Sequence, residues 1–353
     1  MLEPHRHPPR KRTSMPKVLA EAYDVLLFDL DGVVYIGGTA IPGAPDAIQA
    51  AQRAGAHVAY VTNNASRTPA AVAALLDGMG APVTEADVVT SAQAAARLLA
   101  DRLPPKSRVL VIGATALSLA VRERGLVPVW TASDQTAAVV QGFGPGIDYS
   151  RLAEGGLAVR AGAFFVATNA DSTIPGARGT APGNGSLLQV IEHATGVAPV
   201  VAGKPEPPLH RESVIRTGAK HPLVIGDRLD TDIEAAYNAG TDSLLVLTGV
   251  DNPRSVTLAP AHRRPTYIGE NLQTLLQPYP DVETSDSKAT CGGWTATAGA
   301  DGPLTLDGDG AAIDGLRALA AAAWSARDKR GGLDLDQVSA ALDQLAARGL
   351  NGS

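Results

Sequence analysis

Asp29 and Asp31 stand two residues apart at the end of the apolar run Val25-Leu26-Leu27-Phe28. In an extended segment alternate residues share a face, so both carboxylates can project into one crevice. Two carboxylates placed there can divide a displacement at phosphorus. Asp29, ionised at neutral pH, can attack without a base to activate it, forming an aspartyl-phosphate that water then hydrolyses. Asp31 can protonate the departing alkoxide and later deprotonate the attacking water, provided that shielding raises its pKa. Gly32 allows the sharp turn that follows.

A phosphate monoester carries about two negative charges, so a pocket that already holds carboxylates needs cations. Lys204, in Gly203-Lys204-Pro205, supplies one, and a bound Mg²⁺ supplies the rest. The expected metal ligands are Asp29, Asp227 and the backbone carbonyl of Asp31, with water and phosphate completing the octahedron. Asp232 is expected to hold a metal-bound water or to orient Lys204. Phosphate oxygens are assigned to Thr62, Asn63, Lys204 and the Leu30 backbone. Taken singly, Asp-x-Asp-Gly reads as a turn and Gly-Lys-Pro as a loop; together, four such clusters at or just beyond apolar strand ends point to one site.

The elements that must position these residues form two strand–helix series. Val25 to Phe28, Val58 to Val61, Val88 to Thr90, Leu223 to Ile225 and Ser243 to Leu247 read as strands of a parallel sheet, with helices over Pro69 to Met79 and Ala92 to Leu103. Between them, Arg108 to Ile112, Val139-Val140 and Phe164 to Ala167 are strands and Leu117 to Arg124 a helix of a separate series, and the main sheet is expected to resume at Val200-Val201. The fold class is therefore α/β: a Rossmann-like core over 16–104 and 200–281, an inserted α/β cap over 105–199 and an appended module over 282–353. The module is expected to consist of polar turns and two Ala-rich helices, Ala311 to Trp324 and Leu335 to Ala347. Its docking on the core, its self-association into a homo-oligomer and its descent from another fold are all open readings. Asp307-Gly308-Asp309-Gly310 imitates the start of a calcium loop, but Ala312 and Ala318 occupy the places of the required Gly and Glu, so it reads as a turn.

Composition narrows the function. A chain of 353 residues with 45% hydrophobic but only 4% aromatic residues fits an aliphatic, helix-covered sheet. The net charge of −6 is no footprint for nucleic acid. No apolar stretch is long enough to span a bilayer and no secretion signal precedes the core. Cys291 is the only cysteine, which excludes an internal disulfide and fits a cytoplasmic location. Residues 1–15 are basic and proline-rich, a solvated arm rather than a metal site at His5 and His7. Translation from Met15 is equally compatible with the pattern.

Asp29-Leu30-Asp31-Gly32-Val33, Val61-Thr62-Asn63-Asn64, Gly203-Lys204-Pro205 and Gly226-Asp227-Arg228-Leu229-Asp230-Thr231-Asp232 resemble the four motifs of haloacid dehalogenase superfamily phosphatases over residues 23–280. The insertion, with Ala167-Thr168-Asn169-Ala170-Asp171 and Pro182-Gly183-Asn184-Gly185, is similar to the large cap of the branch that includes phosphoglycolate, pyridoxal phosphate and ribonucleotide phosphatases. With its tail, the whole chain resembles actinobacterial members, which implies glycerol 3-phosphate as substrate. The resemblance also implies that the loop Asn169 to Ile174 dips toward the leaving group, and makes Asn169, Asp171, Ile174 and Arg178 specificity candidates. Carbon–halogen hydrolysis would have no need of Asp31 or the metal acids. Phosphotransfer to an alcohol and a non-catalytic binding role are the other readings.

Overall fold

Val25–Phe28 is buried at all four positions, as a central strand covered on both faces must be. The computed structural model describes residues 17–176, 179–299, 302–333 and 335–350; the basic arm and Arg178 lie outside them. Val25–Phe28 pairs in parallel with His57–Thr62 on one side and Pro222–Gly226 on the other. The complete sheet runs Tyr267–Gly269, Asp242–Val246, Pro222–Gly226, Val25–Phe28, His57–Thr62, Val88–Thr90, all parallel. Leu26 and Phe28 enter one apolar cluster, Val25 and Leu27 the opposite one, the period-two alternation that parallel strands impose. Asp29, Thr62 and Asp227 thus sit at or just past the carboxyl ends of three adjacent strands, where open α/β sheets place their ligands.

A second parallel sheet runs Val200–Val201, Phe164–Ala167, Thr136–Gln141, Arg108–Ile112, Val127–Val129. Here one expectation fails. Val200–Val201 does not resume the main sheet but pairs with Phe164–Ala167, Val166 opposite Val200. Two valines carry no signal that selects between two sheets, so only the chain path decides the partner. The outcome matters for the site: Val201 leads directly into Ala202-Gly203-Lys204 and Ala167 into Thr168-Asn169, so the carboxyl edges of both sheets face the same crevice.

The helix Ser91–Arg102 lies between the two sheets, with a Thr90–Gln93 capping box at its start. Ala92, Ala94, Ala95, Ala96 and Leu99 are buried in one cluster with core residues Val25 and Ala59 and with Val109, Leu117 and Val140 of the insertion. Small side chains let this helix be covered all round. Beside it, Glu212 is fully buried and takes Arg97, Arg124 and Arg216, tying a helix of the insertion to two of the core.

The tail departs most from its expected form. Glu283–Thr284, Lys288–Cys291, Trp294–Ala298 and Leu304–Gly308 make a four-stranded antiparallel sheet where polar turns were expected. Its buried positions alternate as they should, but many are filled by small residues such as Ala289, Cys291 and Ala296 that alternate along the strand with threonines, which gives little hydropathy contrast. Ala312–Arg330 extends six residues beyond the expected helix end, stopping at Gly331 in the left-handed region (φ 75°), a common helix terminator. Of the open readings, docking is visible in the packing. Trp294, Leu316 and Leu319 share a cluster with Leu229, Ile233, Leu245, Val256 and Ile268 of the core.

Candidate active site

Lys204 is buried to 8% exposure, and its ammonium lies between two carboxylates. Nζ donates to Asp29 Oδ1 at 2.5 Å and to Asp232 Oδ1 at 2.7 Å. Burial alone would lower the lysine pKa, but the charges of Asp232 and Asp29 outweigh it and raise the pKa above its usual value, so the ammonium stays protonated. The backbone of Lys204 is fixed by Asn63, whose Oδ1 accepts the Lys204 N–H at 2.8 Å and whose Nδ2 donates to the Lys204 carbonyl at 3.2 Å. Asp232 thus contacts the lysine ammonium directly, a placement compatible with either task expected of it.

Carboxylate oxygens of Asp29, Asp227 and Asp232 lie within 4.8 Å of one another. Burial raises the Asp29 pKa well above the carboxylate norm; Lys204 works against this, while Asp232 and Asp227 add to it. Asp227 is pushed up to about 7, by burial first and then by the Asp232 charge. One ammonium does not neutralise three acids, two of them buried and one half-buried. Asp227 Oδ2 accepts the Val250 N–H at 2.8 Å, but Oδ1 is buried without a hydrogen-bond partner. A buried oxygen left unpaired among carboxylates is what a hard, oxygen-seeking cation requires, so the donor set fits Mg²⁺.

Asp31 sits on the turn after Asp29, its side chain open to solvent on one side. Partial desolvation raises its pKa, against the pull of the Tyr35 hydroxyl, Arg67 and Lys204. Tyr35 donates to Asp31 Oδ2 at 3.5 Å, and the turn is closed by Gly32 N–H to the Tyr35 carbonyl at 2.8 Å and Val34 N–H to the Leu30 carbonyl at 2.9 Å. Gly32 has φ 83°, and a Cβ there would lie 2.3 Å from Asp227 Oδ2. Gly32→Ala is therefore expected to cost on the order of 1–3 kcal/mol in stability and to weaken Mg²⁺ activation by displacing Asp227. Thermal unfolding and the Mg²⁺ dependence of activity check this.

The other expected contacts distribute as follows. Thr62 Oγ1 accepts the Asn64 N–H at 3.1 Å, which leaves its hydroxyl hydrogen to donate. Asn169 Nδ2 donates to the Asn63 carbonyl at 2.7 Å, and Asn63 Nδ2 lies 3.3 Å from Asp171 Oδ1. The loop of the insertion thus reaches the same asparagine that holds Lys204. Ile174 is on the hairpin formed by Thr173–Gly176 and Gly179–Pro182, half-buried. Sequence reading did not pick out Tyr35, nor the segment Thr248-Gly249-Val250, where Thr248 Oγ1 donates to the Gly32 carbonyl at 2.6 Å and Val250 holds Asp227. The apolar run Ser243 to Leu247 ending in Thr-Gly was the available signal.

A carboxylate beside a buried ammonium and a cation-ready acid cluster is an arrangement suited to displacement at phosphorus without a hydroxyl or thiol nucleophile. More particularly, the chain belongs to the haloacid dehalogenase-like hydrolases. Residues 26–127 match the family model for haloacid dehalogenase-like hydrolase, 201–275 one for HAD-hydrolase-like proteins, and 291–350 one for a GCN5-related N-acetyltransferase like domain. The chain is 45% identical to D-glycerol 3-phosphate phosphatase of Mycobacterium tuberculosis, covering 88% of each chain. It is 40% identical to the 5'-nucleotidase YutF of Bacillus subtilis, over 67% of this chain and 92% of that one. Among solved structures, the glycerol phosphate phosphatase of Mycobacterium tuberculosis in complex with magnesium superposes with a TM-score of 0.80 at 40% identity, covering 94% of this chain and 99% of that one. Ahead of the long helix of the tail, Asp307, in the strand Leu304–Gly308, and Asp309 just beyond it accept the Gly308 and Gly310 N–H groups at 3.0 and 2.9 Å.

Proposed function

We propose that the protein is a Mg²⁺-dependent phosphatase of small phosphate monoesters, with glycerol 3-phosphate as its substrate. The observation that carries this reading is the Lys204 ammonium bridging Asp29 and Asp232 beside the unpaired Asp227 oxygen. Lys204 occupies Asp29 Oδ1, leaving Oδ2 to form the new bond to phosphorus as the bond from phosphorus to the alcohol oxygen breaks. Asp31 gives its proton to that oxygen, then takes one from the water that attacks the aspartyl-phosphate; phosphate leaves and both carboxyl groups return to their starting state. Asp29, Asp227 and the Asp31 carbonyl would hold Mg²⁺, which when bound would supply charge compensation for the phosphoryl oxygens. Thr62 and Asn63 donate to those oxygens, together with the Leu30 backbone.

The substrate assignment is supported by the name and 45% identity of the Mycobacterium tuberculosis relative. Asn169 and Asp171, anchored on Asn63, are the groups we assign to the leaving alcohol, with Ile174 beside them. A reducing cytoplasm suits a chain whose single cysteine is buried at 3% exposure. The test is release of inorganic phosphate from glycerol 3-phosphate, phosphoglycolate, pyridoxal phosphate and nucleoside monophosphates, with Mg²⁺ and with a chelator. We expect turnover with Mg²⁺, fastest on glycerol 3-phosphate, abolished by the chelator and restored by added metal. Equal rates on all four would replace the substrate assignment with that of a generalist, and full activity under chelation would sink the metal role.

A further inference from the structure

The tail helix Ala312–Arg330 does more than cover the core: its polar side chains end on the backbone of one short core helix, Pro253–Thr257. The last carbonyls of any helix lack partners within it. Here Trp324 Nε1 donates to the Val256 carbonyl at 2.9 Å, and Arg327 donates to that of Leu258. Arg264, gripped by both carboxylate oxygens of Asp328 at 2.7 Å, donates from Nε to the Ala259 carbonyl at 3.2 Å. Each of these three donors is on the tail or held by it.

The opposite end of the same short helix leads to the metal acids. Asn252 caps it, accepting the N–H groups of Arg254 and Ser255. Just before Asn252, the Val250 N–H holds Asp227 Oδ2 at 2.8 Å, the Asp251 N–H donates to the Asp227 carbonyl at 3.1 Å, and Asp251 Oδ2 accepts the Leu229 N–H at 2.6 Å. Apolar packing runs in parallel, since Leu229, Ile233 and Val256 share a cluster with Trp294 and Leu316.

We propose that Trp324 and Arg327 are positioning residues for the metal site. By fixing the C-terminal end of Pro253–Thr257 they hold residues 248–252 in place, and through the Val250 N–H they aim Asp227 so that its Oδ1 is presented to the cation. The inference rests on reading Asp227 as a Mg²⁺ ligand. It gives the tail a task in the phosphatase that owes nothing to acyl transfer.

The test uses the full chain carrying Trp324→Phe, which keeps the ring but removes the donor, Arg327→Met, or Arg327→Lys. Two quantities are read: the Mg²⁺ concentration giving half-maximal phosphate release, and the rise in Tm that Mg²⁺ produces. We expect Trp324→Phe and Arg327→Met to raise the half-saturating Mg²⁺ by about threefold to tenfold and to shrink the Mg²⁺-induced Tm rise. KM for the ester at saturating Mg²⁺ should stay within about twofold of wild type, and Arg327→Lys should restore the metal response. Variants that unfold at lower temperature yet keep the wild-type half-saturation and Tm rise would overturn the proposal and make the contacts purely structural. A wild-type protein whose activity and Tm both ignore Mg²⁺ would fell the metal reading itself, and the proposal with it.

Discussion

Asp29→Asn should yield a folded protein that releases phosphate on the order of 10⁴-fold more slowly than wild type, or not at all. The amide matches the carboxylate in shape but cannot form the bond to phosphorus. Stability should hold or rise. Asp29 is an acid whose pKa burial and two neighbouring carboxylates raise, so its removal relieves repulsion, and Lys204 keeps Asp232 as a partner at 2.7 Å. Single-turnover phosphate release, with circular dichroism and thermal unfolding as controls, separates the two effects. A variant that folds and keeps a tenth of the wild-type rate would remove Asp29 from the role of nucleophile.

Lys204→Met should lose both activity and stability. Removing one partner from a buried charge pair costs about 3–5 kcal/mol, because the carboxylates left behind must be accommodated without countercharge. Asp29 and Asp232 both depend on this ammonium. The loss should also depend on pH with a definite sign. Without Lys204, which opposes the upward push of burial on Asp29, the folded-state pKa of that carboxyl is raised further above its unfolded value, so the folded state binds its proton more tightly. Such groups contribute stability below the unfolded carboxylate pKa and lose it as pH rises through the folded one. The Tm gap between variant and wild type, measured without Mg²⁺, should therefore widen from about pH 5 to about pH 8. Mg²⁺ should narrow it by supplying positive charge. A gap that shrinks with rising pH would mean that the carboxylates are not the groups Lys204 compensates.

Much of the site was legible because its chemistry is written at strand ends. Four apolar residues followed by Asp-Leu-Asp-Gly, and Leu223-Val224-Ile225-Gly226-Asp227 likewise, read as buried strands that deliver acids to an edge, and it was their recurrence in one chain that pointed to a site. Tyr35 and Val250 escaped notice because their contributions, a phenol hydrogen bond and a backbone N–H, leave no trace in local pattern. The tail strands escaped for a related reason. Alternating alanine and threonine have too little hydropathy contrast to announce a sheet.

The order of charged and apolar residues along the chain was by itself enough to determine the α/β class and to point to a carboxylate nucleophile, a paired acid and base and a cationic countercharge, because valence, charge and period-two burial are properties of the residues themselves. Which sheet Val200–Val201 joins, how Asn63 clasps both Lys204 and the Asn169–Asp171 loop, and how Trp324 comes to brace a helix that leads to Asp227 were decided only by tertiary structure. These are contacts between residues roughly 30 to 140 positions apart. Such pairings depend on the path of the whole backbone, and no short stretch of sequence carries that information.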